Sequence, residues 1–202
     1  RVLATYSPPF FGSHVHAIPD PAGLLGALGE VHPTAFFGVP RVWEKIKTGI
    51  SAKLAEDPNP DNQKMVADAM AAGLAWTQAH EYGSEMTPEI QAAYEKADAA
   101  ILGFLRLLLG LDQVQWAASA AAPMPIEVAK FMGGLGLKVY DVYGMTETTG
   151  AFTANGPDGF KLGTVGRPNP GIEVRLADDG EILVRGPVNT PGYYQQPAFT
   201  AD

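Results

Sequence analysis

The chain has no cysteine, a low density of charge and no stretch apolar enough to cross a bilayer, and each absence removes a class of answer. Without cysteine there is no disulfide staple, no thiolate metal site and no cysteine nucleophile, a usage that fits a reducing cytoplasm. Charged residues make up 18% of the 202 positions, with 14 Lys and Arg against 22 Asp and Glu, for a net charge of -8. No block of basic residues occurs, so nucleic acid is not an expected partner. The longest apolar run, residues 97–111, is broken by Asp98 and Arg106 and is too short to span a membrane; it is expected as a buried helix. At Arg1 there is no methionine, charged leader or cleavage site, so no targeting signal is expected. The expected setting is the cytoplasm, without a transmembrane segment, and peripheral contact with a membrane is left open. His14, His16, His32 and His80 are scattered without ligand spacing and are expected to be structural or surface residues.

What is present describes a globular protein. Hydrophobic residues make up 46%, enough for one good-sized domain or two small ones. Residues 1–40 carry short apolar runs and prolines. Leucines at 24, 25 and 28 have helical spacing, ended by Val31-His32-Pro33, and residues 34–39 (TAFFGV) are expected as a buried strand. Pro40 opens a helix in which Arg41, Trp43, Ile46 and Ile50 recur at helical intervals. Between about 51 and 112 the composition shifts to helix formers, and helices are expected over 41–55, 61–82 and 88–110, broken at 57–60 and 83–88. This reads as a surface helical insertion covering a sheet. Strand signals return at 114–118, a short helix is expected over 125–133, and a strand over 137–142. From Ile172 the pattern becomes a hairpin, with Asp178-Asp179-Gly180 as its turn and 181–185 as the return strand. The expected fold class is α/β. It comprises a partial doubly wound sheet with a helical insertion over residues 1–153, followed by the start of a small β-hairpin or barrel subdomain over 154–202.

The stretch most suggestive of chemistry is 140–150, YDVYGMTETTG. β-formers break at Gly144 into a polar turn, and a turn at a strand's C-terminal end is where open α/β sheets place ligands. A threonine hydroxyl can donate to a phosphate oxygen, and glutamate is a hard oxygen ligand suited to magnesium. The same run of Thr and Glu is also what an N-cap or capping box needs, and local pattern alone does not separate the two. Upstream, Ser119 to Pro123 (SAAAP) has side chains small enough for a ligand to approach the backbone, although a tightly packed turn needs them equally.

Six segments in order resemble the adenylate-forming enzymes, and among them the long-chain fatty-acid–CoA ligases: residues 36–46 (FFGVPRVWEKI), 119–123 (SAAAP), 143–147 (YGMTE), 163–168 (GTVGRP), 180–186 (GEILVRG) and 192–194 (GYY). The resemblance implies ATP and coenzyme A as co-substrates, magnesium, a fatty acid as the activated carboxylate, and an acyl-AMP intermediate. By motif match it implies that Thr146 and Glu147 are catalytic, Thr146 donating to the α-phosphate and Glu147 holding the metal. It implies a nucleotide-binding set of Ala120, Ala121, Ala122, Pro123, Asp141, Val142, Tyr143, Gly144, Met145 and Thr146. Tyr143 is expected against the adenine ring, Asp141 and Val142 at its edge, and Gly144 where the backbone comes close to the nucleotide.

The chain departs from the family in two ways. Ala120 stands where many relatives carry glycine, and the family's phosphate loop, ribose-binding aspartate and lysine-bearing C-terminal domain do not occur. The expectation is therefore a central fragment of the large N-terminal domain, inactive by itself and dependent on the remainder of a parent chain. Two other readings stay open: a noncatalytic adenylate- or acyl-binding module, and a fatty acyl-AMP ligase that delivers to a carrier protein.

Overall fold

The computed structural model describes residues 7–201; what is expected of residues 1–6 and 202 lies outside them. The chain opens with a short helix, α1 (Ser7–Phe11), and α2 (Leu24–Val31) follows a 3-10 turn. His32 ends α2 in a left-handed conformation, φ 46°, its amide donating to Leu28 O. Next come β1 (Ala35–Phe37) and α3 (Pro40–Ala55). Proline at the first helical position has no amide to leave unsatisfied, which is why α3 starts there. Trp43, Ile46 and Ile50 share one face and are all buried, and Trp43 Nε1–H donates to Gly38 O at 3.0 Å.

The insertion consists of α4 (Pro60–Ala79), α5 (Pro88–Ala97), a π-helical turn (Asp98–Leu102) and α6 (Gly103–Leu108). Asn59 and Thr87 cap α4 and α5 by accepting the amides of Asp61 and Ile90. α4 buries a row of small residues, Ala69, Gly73 and Thr77, one per turn. This row lets it cross α7 (Ile126–Gly134) backbone on backbone: a Cβ at Gly73 would stand 2.0 Å from Gly134 O, and Thr77 Oγ1 donates to Gly133 O at 2.8 Å. α4 is therefore not a loose polar cover.

The five-stranded sheet runs β1, β2 (Trp116–Ser119), β3 (Val139–Met145), β4 (Gly150–Ala154), β5 (Arg167–Pro168). β1, β2 and β3 are parallel; β4 and β5 are antiparallel to their neighbours. A second sheet is the hairpin β6 (Glu173–Leu176) with β7 (Ile182–Arg185), and the chain continues to a short α8 (Pro197–Ala201). The core gathers Leu28, Trp43, Ile46 and Ile50 from the N-terminal helices, Leu105 and Leu111 from the insertion, and Val128, Met132, Leu135 and Val139 from α7 and its surroundings. Each such side chain, fully buried, contributes about 1.5–3 kcal/mol.

Three expectations need correction. The strand at 34–39 is shorter and not buried: β1 is a sheet edge, Phe36 is half-buried and Phe37 is 41% exposed. The segment 97–111 is one-sided, burying Leu102, Leu105 and Leu111 while Phe104, Leu107 and Leu108 face outward, because 102 and 105 share one helical face and 104, 107 and 108 the opposite one, which no neighbour covers among the described residues. The strand through Tyr140 does not break at Gly144 but continues to Met145 with a bulge between Tyr143 and Gly144. The hairpin and the positions of helices α3, α4 and α7 agree with the sequence to within about three residues, and the helix expected over 88–110 is divided by the π-turn into α5 and α6, ending at Leu108.

Candidate functional site

Parallel pairing of β2 with β3 sets Ser119 opposite Asp141, so the residues following both strands emerge at one edge of the sheet. There they border a cavity of about 840 Å³, which is walled by Ala120 to Met124, Asp141 to Thr146, Thr149 to Ala151 and Gly163 to Val165. All ten residues expected to bind nucleotide line this one cavity. The third wall, Gly163-Thr164-Val165, belongs to a segment that shares the family resemblance without carrying an expected binding residue. Its signal in sequence was the GTVG pattern alone, with nothing to say where it would fold.

The polar turn is built by its own threonines. Thr146–Thr148 form one 3-10 turn and Thr149 takes a left-handed conformation, φ 57°, that returns the chain into β4. The buried Thr148 hydroxyl accepts the Met145 amide at 3.2 Å and donates to Gly150 O at 2.7 Å, and Thr149 Oγ1 donates to Val188 O at 2.7 Å. Thr148 thus does the capping work that a bland reading of the motif offers. Thr146 is exposed to the cavity, and its hydroxyl makes no hydrogen bond among the described residues.

Glu147 sits on the far side of the turn. It borders a second cavity of about 510 Å³ that shares Tyr143 and Met145 with the first and is otherwise lined by Thr148, by Phe152 of β4, and by β7 with the residues on either side of it. Its Oε1 accepts from Tyr193 OH at 2.8 Å, and its carbonyl accepts the Thr190 amide at 2.7 Å. Its own backbone amide and the Tyr193 hydroxyl hold the carboxyl below the ordinary range, so it is charged at neutral pH; the same contact raises Tyr193. Tyr143 is half-buried with one ring edge on Phe152, centroids 4.8 Å apart.

Gly144 has a reason internal to the protein. A Cβ there would stand 1.9 Å from Gly150 O, so the bulge brings β3 and β4 closer than any side chain allows. Ala121 has φ 76°, a left-handed backbone in a residue that carries a Cβ, and this strain lies in the cavity wall.

Asp141 is 8% exposed, and burial raises its carboxyl from an ordinary 3.8 to about 6. The Met124 amide and the Ser119 hydroxyl oppose the rise without cancelling it. Between pH 4 and 6 the folded chain therefore binds more protons than the unfolded chain, and stability falls as pH rises through that window. Asp141→Asn is expected to match the wild type near pH 4 and to exceed it at pH 7.5 by about 1–3 kcal/mol, read from urea midpoints. An asparagine variant less stable than wild type at pH 7.5 would refute the burial cost.

Among the described residues, no group of three or more His, Asp or Glu could hold a metal by itself.

The profile of the AMP-binding enzymes matches residues 2–194. A protein of Mycobacterium tuberculosis bearing the provisional name fatty-acid–CoA ligase fadD11 is 38% identical over the whole chain. The long-chain-fatty-acid–CoA ligase FadD15 of Mycobacterium bovis is 33% identical over 91% of it, and human ACSBG1, a long-chain-fatty-acid–CoA ligase, 34% over 84%. The chain spans only 35%, 30% and 24% of the lengths of these three. In fold it resembles the adenylation domain of a carboxylate reductase from Mycobacterium chelonae, with TM-score 0.58 and 24% identity over 93% of this chain and 25% of that one.

Proposed function

Because the chain belongs to the AMP-binding enzymes, we propose that it forms the nucleotide wall of an ATP-dependent ligase that activates a long-chain fatty acid for transfer to coenzyme A. The observation that carries this reading is the convergence of the ten motif residues on one cavity, with the Thr146 hydroxyl unengaged there and a charged Glu147 next in the chain, bordering the adjoining cavity. In the proposed reaction a carboxylate oxygen of the fatty acid attacks the α-phosphorus of ATP, and pyrophosphate leaves. The thiolate of coenzyme A then attacks the acyl carbonyl, and AMP leaves.

These are positioning and charge-neutralising demands, which the side chains here meet in named ways. Thr146 donates to an α-phosphate oxygen. Tyr143 presents a ring face to adenine, with Val142 and the Asp141 carboxylate at its edge, and Ala120 to Pro123 wall the adenine and acyl side. Glu147 supplies one hard oxygen ligand. That donor set suits a magnesium held chiefly by nucleotide phosphates and water, since magnesium commonly takes one or two carboxylates and keeps several waters. When bound, the ion neutralises charge on the phosphate oxygens. The proposed setting is the cytoplasm; no described helix is long and apolar enough to cross a membrane.

The full-length protein is expected to release pyrophosphate when given ATP, magnesium and a long-chain fatty acid, and to form the thioester once coenzyme A is added. Tight AMP binding by these 202 residues with no pyrophosphate release from the full-length protein would replace this reading with a noncatalytic binding module.

A further inference from the structure

The helical insertion does more than cover the sheet, because the residues just beyond α4 are tied to the wall of the cavity. Glu81 Oε1 accepts the Leu162 amide at 3.2 Å, and the Tyr82 amide donates to Phe160 O at 2.9 Å. The Tyr82 ring carries two cations, Lys161 Nζ at 5.4 Å and the Arg167 guanidinium at 4.9 Å from its centroid. Two consecutive residues thus grip four positions between 160 and 167. The span between those grips is residues 163–166, and it holds Gly163-Thr164-Val165, the cavity's third wall. Its remaining supports come from elsewhere. The buried Asn155 accepts the Lys161 amide at 2.9 Å and donates to Thr164 O, and Gly163 lies against Ile126, to whose Cδ1 an added Cβ would stand 3.0 Å.

We infer that Glu81 and Tyr82 are positioning residues for the nucleotide site, holding the Gly163–Val165 wall at the cavity from the end of the insertion. Neither residue lines the cavity. The inference rests on the proposed nucleotide site and adds to it a mechanical link between the insertion and one wall. The direction of the effect follows from the shared contact. Lys161 and Arg167 both lie against the Tyr82 ring, so removing the ring takes away the one partner that ties the two ends of the segment together and loosens it. Tyr82 is 44% exposed, so its truncation leaves the core intact.

The test is Tyr82→Ala with Tyr82→Phe as its conservative partner. In the full-length ligase, Tyr82→Ala is expected to raise KM for ATP about fivefold, the equivalent of one such contact, with kcat and KM for the fatty acid changed less than about twofold. Tyr82→Phe, which keeps the ring, is expected to restore the wild-type KM. Hydrogen exchange on the 202-residue chain without nucleotide reads the link separately. Amides 160–166 are expected to exchange roughly tenfold faster in Tyr82→Ala, while amides 139–143 stay unchanged. Unchanged protection at 160–166 would overturn the link, and faster exchange there with an unaltered KM for ATP would overturn the positioning role. If the wild type bound no nucleotide, the functional reading would fall and the exchange result alone would decide the link.

Discussion

Glu147→Ala is expected to lower the rate of fatty acyl-adenylate formation by the full-length enzyme about a hundredfold to a thousandfold, the scale on which removing one preorganised charge-stabilising group acts. The loss is expected in kcat, measured as pyrophosphate release at saturating ATP and magnesium, because the side chain is proposed to act on charge that grows as the α-phosphorus is attacked. Glu147→Gln separates charge from shape. Glutamine keeps an oxygen that can accept from Tyr193 OH, as the native carboxylate does at 2.8 Å, but supplies no anion. A loss close to that of alanine assigns the effect to charge. Near wild-type turnover in both variants would remove Glu147 from the reaction. Folding should survive either change, since the carboxylate lies at a cavity border and Thr148, not Glu147, closes the turn.

The second large effect is structural. Gly144→Ala is expected to destabilise the chain by about 3 kcal/mol or more, because the new methyl would have to displace backbone: Gly150 O would stand 1.9 Å away and the Ala151 Cα 2.6 Å away. Relief requires β4 to move off β3, which also displaces Gly150 and Ala151 from the cavity wall. The measurement is a urea or thermal midpoint compared with Gly49→Ala. Gly49 is an exposed site inside α3 where an added Cβ meets nothing within 4 Å. That control is expected to gain about 0.5–1 kcal/mol from helix propensity. A small effect at 144 would mean that the bulge opens cheaply and that its glycine serves only ligand approach.

The contrast between these residues explains what could be read in advance. Helices α3, α4 and α5 announce themselves through proline at N1, through Asn59 and Thr87 caps and through periodic apolar residues, all of which are local properties. The site turn was legible as a cluster of hydroxyls with one carboxylate. Sequence could not tell which of Thr146, Thr148 and Thr149 would be consumed by the backbone, because that depends on where Gly150 O and Val188 O fold. The edge position of β1 and the outward face of α6 are likewise set by which neighbours arrive, not by the residues themselves. The role of Gly163 to Val165 was hidden for the same reason: a loop acquires its meaning from the two elements that grip it.

The strand order carries a consequence for how the chain reaches its native state. β3, β4 and β5 pair through short connections, so their association costs little loop entropy and can form early. β1 finds β2 only across roughly eighty intervening residues, a non-local closure that slows folding. A refolding chain would therefore form the site's turn while its first parallel pair was still open, with the three insertion helices lying in the loop that pair must close. α4 meets α7 backbone on backbone at Gly73 and Gly134, so the insertion brings the loop between β1 and β2 down onto the helix that precedes β3, and the closure of β1 on β2 is where a folding delay in this chain should concentrate.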